Sequence, residues 1–109
     1  MDPITIDDFK KVDLRVGLVK QVEVHPNADK LYILTVEIGG SLKTLVAGVR
    51  AHYKPEELLN KKVVVVANMK PTIIRGVESN GMILVAKGPE GGLAILSVEK
   101  DMETGSSIS

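Results

Sequence analysis

From Val12 the chain alternates. Val12, Leu14, Val16 and Leu18 are apolar, and Asp13, Arg15 and Gly17 separate them. A period of two puts one set on a single face, so this stretch predicts a half-buried strand. The phase has changed by Val22 and Val24, which predicts a bulge or sharp bend between Gly17 and Lys20 in one long strand. Upstream, residues 4–11 predict a short helical turn. Thr5 caps it, Asp7 and Asp8 sit near its positive end, and Phe9 is expected to turn inward as a plug.

His25-Pro26-Asn27-Ala28-Asp29-Lys30 interrupts the pattern. Pro26 lacks a backbone donor, and Asn27 and Asp29 are turn formers. Leu31 to Ile38 predicts a second strand with Leu31, Ile33, Val36 and Ile38 toward the core, its alternation broken between Ile33 and Val36. Gly39-Gly40 is a hairpin signal, and Leu42 to Val46 returns as a third strand. Pro55 to Leu59 predicts the one clear helix: Pro55 suits a first turn and Glu56-Glu57 its positive end. Leu58 and Leu59 are expected to close one end of a barrel. The β-branched run Val63 to Val66 predicts a buried strand. Met82 to Ala86 and Leu93 to Val98 supply two more, punctuated by Gly88-Pro89 and Gly91-Gly92. The tail from Asp101 is polar apart from Met102 and Ile108. Five or six strands with one short helix predict an all-β fold, a small closed sheet without exposed edges. No repeat or linker divides the chain, so a single domain over residues 1–109 is expected.

Composition narrows the chemistry. Phe9, Tyr32 and Tyr53 are the only aromatic residues, so Val, Ile and Leu must build the core. There is no Cys, which excludes disulfides, thiolate metal sites and Cys nucleophiles. With His25 and His52 as the only histidines, no metal site is expected. No run of 18 apolar residues exists, and the first residues are acidic instead of basic; no membrane span or secretory signal is expected, and a cytoplasmic location fits. Fourteen basic residues balance fourteen acidic ones, which removes any global attraction for nucleic acid. The distribution is uneven: residues 43–75 carry a net charge of +5 between acidic flanks. This is either a one-sided basic patch or ordinary surface scatter.

No catalytic constellation is visible. Adjacent Glu56 and Glu57 read as helix-end charges, and the glycines form neither a phosphate loop nor a dinucleotide fingerprint. An enzyme is not expected, nor a cofactor. His25 reads as a loop or packing residue or as a ligand contact, and His52 beside Tyr53 as a surface contact or a turn residue. Asn68-Met69-Lys70-Pro71 and Arg75-Gly76-Val77-Glu78-Ser79-Asn80-Gly81-Met82 carry more. They place amides, cations and a hydroxyl in a loop between apolar strands, where Lys70 and Arg75 can meet phosphate and Asn68, Ser79 and Asn80 can make directional bonds. The same residues also permit a structural account: Asn68 and Pro71 shape a turn, Arg75 pairs with Glu78, and Ser79 satisfies backbone atoms.

The order and spacing of several blocks resemble a known family. They are Ile6-Asp7-Asp8-Phe9, Val12 to Gly17, His25-Pro26-Asn27-Ala28-Asp29-Lys30-Leu31-Tyr32, Pro55-Glu56-Glu57-Leu58 and the two segments from Asn68 to Met82. Together, over about residues 6–98, the sequence resembles the tRNA-binding domain of methionyl-tRNA synthetase C-terminal extensions, stand-alone tRNA-binding proteins and endothelial-monocyte-activating-polypeptide-like domains. The resemblance implies an OB-fold, a five-stranded β-barrel with a short helix between strands and additional terminal segments. It implies tRNA binding that assists aminoacylation or tRNA handling without catalysis, a homodimer joined through its terminal segments, and an aminoacyl-tRNA synthetase as a possible associate. It marks Asn68, Lys70, Arg75, Ser79 and Asn80 as the central binding-loop candidates, with His25, Asn27, Asp29 and Lys30 in the neighbouring loop.

One departure stands out. Members commonly carry another base soon after the Lys-Pro unit, where this chain has Thr72-Ile73-Ile74. With the neutral total charge, this motivates an alternative: a homodimeric chaperone-like relative that binds unfolded or exported polypeptides through an apolar groove.

Overall fold

The computed structural model describes residues 1–109. It begins with α1 (Ile6–Phe9), where the Thr5 hydroxyl accepts from the Asp8 N–H at 3.0 Å and the Asp8 carboxylate accepts from the Thr5 N–H at 3.4 Å. This reciprocal pair satisfies donors that helix geometry leaves free. Phe9 does not plug the core. No residue of α1 is buried, and Phe9 lies with Ile6, Val12 and Ile108 around an open depression of about 350 Å³. A single turn outside the sheet has no layer above it to bury a ring.

The spine of the fold is β1 (Leu14–Val24). Its first half pairs with β4 (Lys62–Val66), from Leu14 opposite Val66 to Leu18 opposite Lys62. Its second half pairs with β2 (Tyr32–Ile38), from Leu18 opposite Glu37 to Val24 opposite Tyr32. The register shifts between Val19 and Gln21, so Lys20 is the extra residue of the bend that the phase change predicts. Gly39 and Gly40, at φ +58° and +90°, turn β2 into β3 (Ser41–Ala47) through a two-residue hairpin. The chain then passes through α2 (Pro55–Leu58) into β4.

Between β4 and the end of the sheet the chain makes a separate hairpin, β5 (Thr72–Ile74) and β6 (Val77–Ser79), where the sequence pattern predicts a loop. Its two-residue turn is Arg75-Gly76, at φ +53° and +90°. Arg stands where Asn, Asp or Gly usually signals such a turn, so the hairpin carries a weak local signal. β7 (Met82–Ile83) follows and pairs with β4.

The principal sheet therefore runs β3-β2-β1-β4-β7. It is curled and open, which corrects the expectation of a closed five-stranded barrel. β3 and β7 share no ladder; single bonds cross the gap beside them, from the Asn80 N–H to the Thr44 carbonyl at 2.8 Å and from the Val46 N–H to the Ser79 hydroxyl at 3.0 Å. β7 has two residues, and Gly81 at φ +144° turns the chain immediately before it, which leaves too little strand for a ladder. Leu84 then bonds to both Val64 and Leu96, carrying the chain from β4 toward a last hairpin, β8 (Val85–Lys87) and β9 (Leu93–Ile95). The tail returns as β10 (Ser107–Ile108), opposite Arg15 and Leu14, on the part of β1 that β2 leaves unpaired.

Inside the curl lie Val19, Leu34, Val36, Leu45, Leu58, Val63 and Val65, all essentially inaccessible to solvent. The inward face of β2 is Tyr32, Leu34 and Val36, one residue out of phase with the expected Leu31 and Ile33. The even positions are uninterrupted by charge, so no irregularity is needed between Ile33 and Val36. Tyr32 can turn inward because its hydroxyl donates to the Tyr53 carbonyl at 2.7 Å. Leu58 caps one end of the core as expected, whereas Leu59 is 45% exposed: the helix ends after one turn and aims it outward. A Cβ on Gly17 would lie 2.6 Å from Val36 Cγ1, so a side chain there would displace the inner layer.

Candidate nucleic-acid interface

The β5–β6 hairpin carries most of the predicted site residues, and polar contacts at three places fix it to the sheet. At its far end, His25 is buried at 2% exposure. The Asn27 N–H donates to His25 Nδ1 at 3.0 Å, which places the ring proton on Nε2. That nitrogen donates to the Ile74 carbonyl at 3.1 Å. The Asn27 side chain adds a bond from Nδ2 to the Arg75 carbonyl at 3.4 Å. The loop after β1 is thereby clamped onto the Arg75-Gly76 turn, so His25 and Asn27 join the hairpin as its supports.

At the inner edge, Ser79 is 3% exposed. Its hydroxyl accepts from the Val46 N–H at 3.0 Å and donates to the Gly81 carbonyl at 2.8 Å. A hydroxyl engaged in both directions and buried cannot reach solvent. Ser79 joins the hairpin to β3. At the near end, Asn68 accepts from the Asp13 N–H at 2.8 Å and donates from Nδ2 to the Lys11 carbonyl at 2.7 Å. Its amide ties the β4–β5 connection to the segment between α1 and β1. The backbone donor and acceptor leave one orientation for that amide. No buried side-chain nitrogen or oxygen lacks a partner anywhere in the chain.

Lys70 and Arg75 differ from these anchors. Both are exposed, at opposite ends of β5. The ion pairs of the chain join Lys11 to Asp8, Arg15 to Asp13 and Lys62 to Asp101, and neither Lys70 nor Arg75 enters one. The Arg75–Glu78 pair that the sequence permits is not formed. Asn80 is half-buried and bonds to Thr44 through its backbone. Asp29 and Lys30 are exposed in the neighbouring loop.

Two features carry no distinct motif in the sequence. Lys43 on β3 donates to the Ala67 carbonyl at 3.3 Å, placing another cation beside Asn68. Its membership of the basic middle segment is the only signal for it. Between the hairpin and the sheet lies an apolar groove of about 120 Å³, lined by Val46, Met69, Lys70, Thr72, Ile74 and Met82. Methionines at such a place adapt to varied surfaces. No group of His, Asp and Glu is placed to hold a metal ion, and no helix is long and apolar enough to cross a membrane.

The site is thus a module of exposed cations, apolar contacts and backbone-locked polar anchors, a set suited to binding. Known proteins point to the same class. Residues 14–107 match the family described as "Putative tRNA binding domain", and the chain belongs to that family. It is 48% identical over 108 residues to a methionine–tRNA ligase of Pyrococcus furiosus, covering 99% of this chain and 15% of the ligase. The chain therefore spans about one seventh of that relative, and it corresponds to a non-catalytic tRNA-binding module, not to the synthetase core. Among solved structures, the MetRS related protein from Pyrococcus horikoshii superimposes with a TM-score of 0.94 at 35% identity, with both chains fully covered. The chaperone CsaA from Bacillus anthracis superimposes with a TM-score of 0.89 at 27% identity, covering 99% of this chain and all of that one.

Proposed function

We propose that the β5–β6 hairpin is the tRNA-contacting edge of this domain, with Lys70 and Arg75 on backbone phosphates. The carrying observation is that these two cations stand free of any ion pair at the ends of a strand whose neighbours are locked by buried polar bonds. Such cations keep their charge for a ligand, and fixed supports reduce the ordering that binding requires. In this reading Asn68, Ser79, His25 and Asn27 hold the hairpin's position, Asn80 offers its side chain to RNA, and Asp29 and Lys30 border the contact. RNA shape supplies selectivity, since loops and helix junctions expose what the narrow major groove hides. Residues 1–109 act as one unit.

We further propose a homodimer. Ile6, Phe9, Val12 and Ile108 present an apolar face without a covering layer, formed by both terminal segments. Pairing two copies there would join two hairpin edges and raise avidity despite neutral total charge. In the cell, the reading places the domain in the cytoplasm, assisting aminoacylation as part of, or beside, a synthetase.

The test is a fluorescence-anisotropy titration against folded tRNA over a salt series. Binding should be saturable and should weaken as salt rises, because phosphate contacts release counterions. The double variant Lys70→Ala/Arg75→Ala should bind more weakly with unchanged unfolding; unchanged affinity in the folded variant would reject the assigned contacts. A second reading, peptide binding, is favoured by the apolar groove with Met69 and Met82 on its walls. It calls for saturable capture of unfolded polypeptide that is nearly indifferent to salt, with no tRNA binding at low salt.

A further inference from the structure

We infer that the RNA surface continues past the Arg75 turn onto residues Arg50–Lys54, where Arg50 and Lys54 take further backbone phosphates and His52 offers its ring to an unpaired base. This rests on the hairpin reading above. Three segments lie side by side, with the loop 25–31 between the hairpin turn and the segment after β3. On one side Asn27 bonds to the Arg75 carbonyl and lies near Gly76. On the other, the Arg50 N–H donates to the Lys30 carbonyl at 3.4 Å, and Leu31 Cδ2 would touch a Cβ on Gly48 at 3.6 Å. Cations therefore follow one another along the molecule: Lys70, then Arg75, then Lys30, then Arg50 and Lys54. Five residue steps separate Lys70 from Arg75, a reach of at most about 17 Å, and the segments that bear Lys30, Arg50 and Lys54 continue the track beyond the turn.

The far end of the track is a formed surface. Residues Arg50, His52, Lys54 and Glu57 border an open depression of about 280 Å³ whose floor is Tyr32 and Tyr53. Both rings are pinned: Tyr32 donates to the Tyr53 carbonyl, and the Tyr53 hydroxyl accepts from the Ile95 N–H at 3.0 Å. The His52 and Tyr53 amides both bond to the Val49 carbonyl at 3.0 Å, which holds the segment in a tight turn. Glu57 is the one carboxylate on the rim, and it accepts from the Lys54 backbone N–H at 2.8 Å. Arg50 and Lys54 enter no ion pair, and His52 is exposed. Cations carried on a hydrogen-bonded backbone around an exposed imidazole match what single-stranded RNA requires, charge for its backbone and a flat ring for a base.

The test compares the parent protein with Arg50→Gln/Lys54→Gln and with His52→Ala, by tRNA anisotropy across a salt series and by chemical unfolding. The double variant should bind about tenfold more weakly at low salt. Its plot of log affinity against log salt should be shallower by about 0.7 to 0.9 for each phosphate interaction removed. His52→Ala should lower affinity without changing that slope. Unfolding midpoints should match the parent; if the double variant fails to fold, Lys54→Gln alone carries the slope comparison. A parent that binds tRNA, with Gln variants of the same affinity and slope, overturns this extension and leaves the hairpin reading standing. A folded parent that does not bind tRNA overturns both.

Discussion

The curled sheet and the β5–β6 hairpin are held by different forces. The open sheet curls around Val19, Leu34, Val36, Leu45 and Val65, with continuous ladders from β3 through β4. Apolar burial of this kind is non-directional and stabilises each fully buried Leu or Val by about 1.5–3 kcal/mol. The hairpin has three-residue strands and no ladder to the sheet. It is positioned by a histidine, a serine and an asparagine, each through two directed bonds. Polar residues in a binding loop thus divide into two groups. His25, Ser79 and Asn68 spend hydrogen bonds on the protein's own backbone, whereas the side chains of Lys70 and Arg75 enter no ion pair.

The largest expected effect falls on the sheet. Leu34→Ala removes a fully buried side chain and should cost about 2–5 kcal/mol in denaturant unfolding. The remaining folded protein should bind tRNA normally, since the proposed contacts lie on the hairpin; a selective loss of affinity at full folding would erase the distinction between the two regions. Gly17→Ala comes next, at about 1–3 kcal/mol, because the new methyl meets Val36 and Val65. Unfolding data equal to the parent's would show that the inner layer yields more easily than its spacing implies.

Ser79→Ala sharpens the comparison from the other side. It leaves the buried Val46 N–H without its acceptor and should cost about 1–3 kcal/mol. It should also weaken tRNA binding by releasing the hairpin, with the salt slope unchanged because no phosphate contact is removed. A shallower slope would place the hydroxyl on RNA instead. Arg75→Gly gives the smallest and most diagnostic change in stability. Arg75 occupies the left-handed region at φ +53°, which is unfavourable for a residue with a Cβ. Glycine there should leave stability unchanged or raise it by up to about 1 kcal/mol, while tRNA affinity falls with the missing cation. Loss of stability together with affinity would mean that the arginine side chain supports the fold.

Much of the sheet is legible in the sequence because its signals are local. Alternation marks the strands and the bend in β1, Gly39-Gly40 marks the β2–β3 hairpin, and Pro55-Glu56-Glu57 marks the short helix. From Leu31 to Leu34 both alternate sets are apolar, and only Thr35 and Glu37 further along mark the even positions as the inner face. The Tyr32 contact with Tyr53, distant in sequence, helps decide it. The site divides in the same way. Residue types and spacing single out the segment from Asn68 to Met82, and they permit two accounts of each polar residue. They have no means of separating Lys70 from Asn68 or Arg75 from Ser79.

By itself, then, the sequence determined an all-β chain with a valine-rich core, a basic middle and the motif blocks of a tRNA-binding domain, because composition, period and spacing are properties of neighbouring residues. Only the tertiary structure decided that the sheet stays open beside β7, that Phe9 faces outward, and that His25, Ser79 and Asn68 are bound to backbone atoms between 2 and 57 residues away. Most of those partners belong to other strands and loops. A side chain's freedom to meet a ligand depends on what the fold has already placed against it.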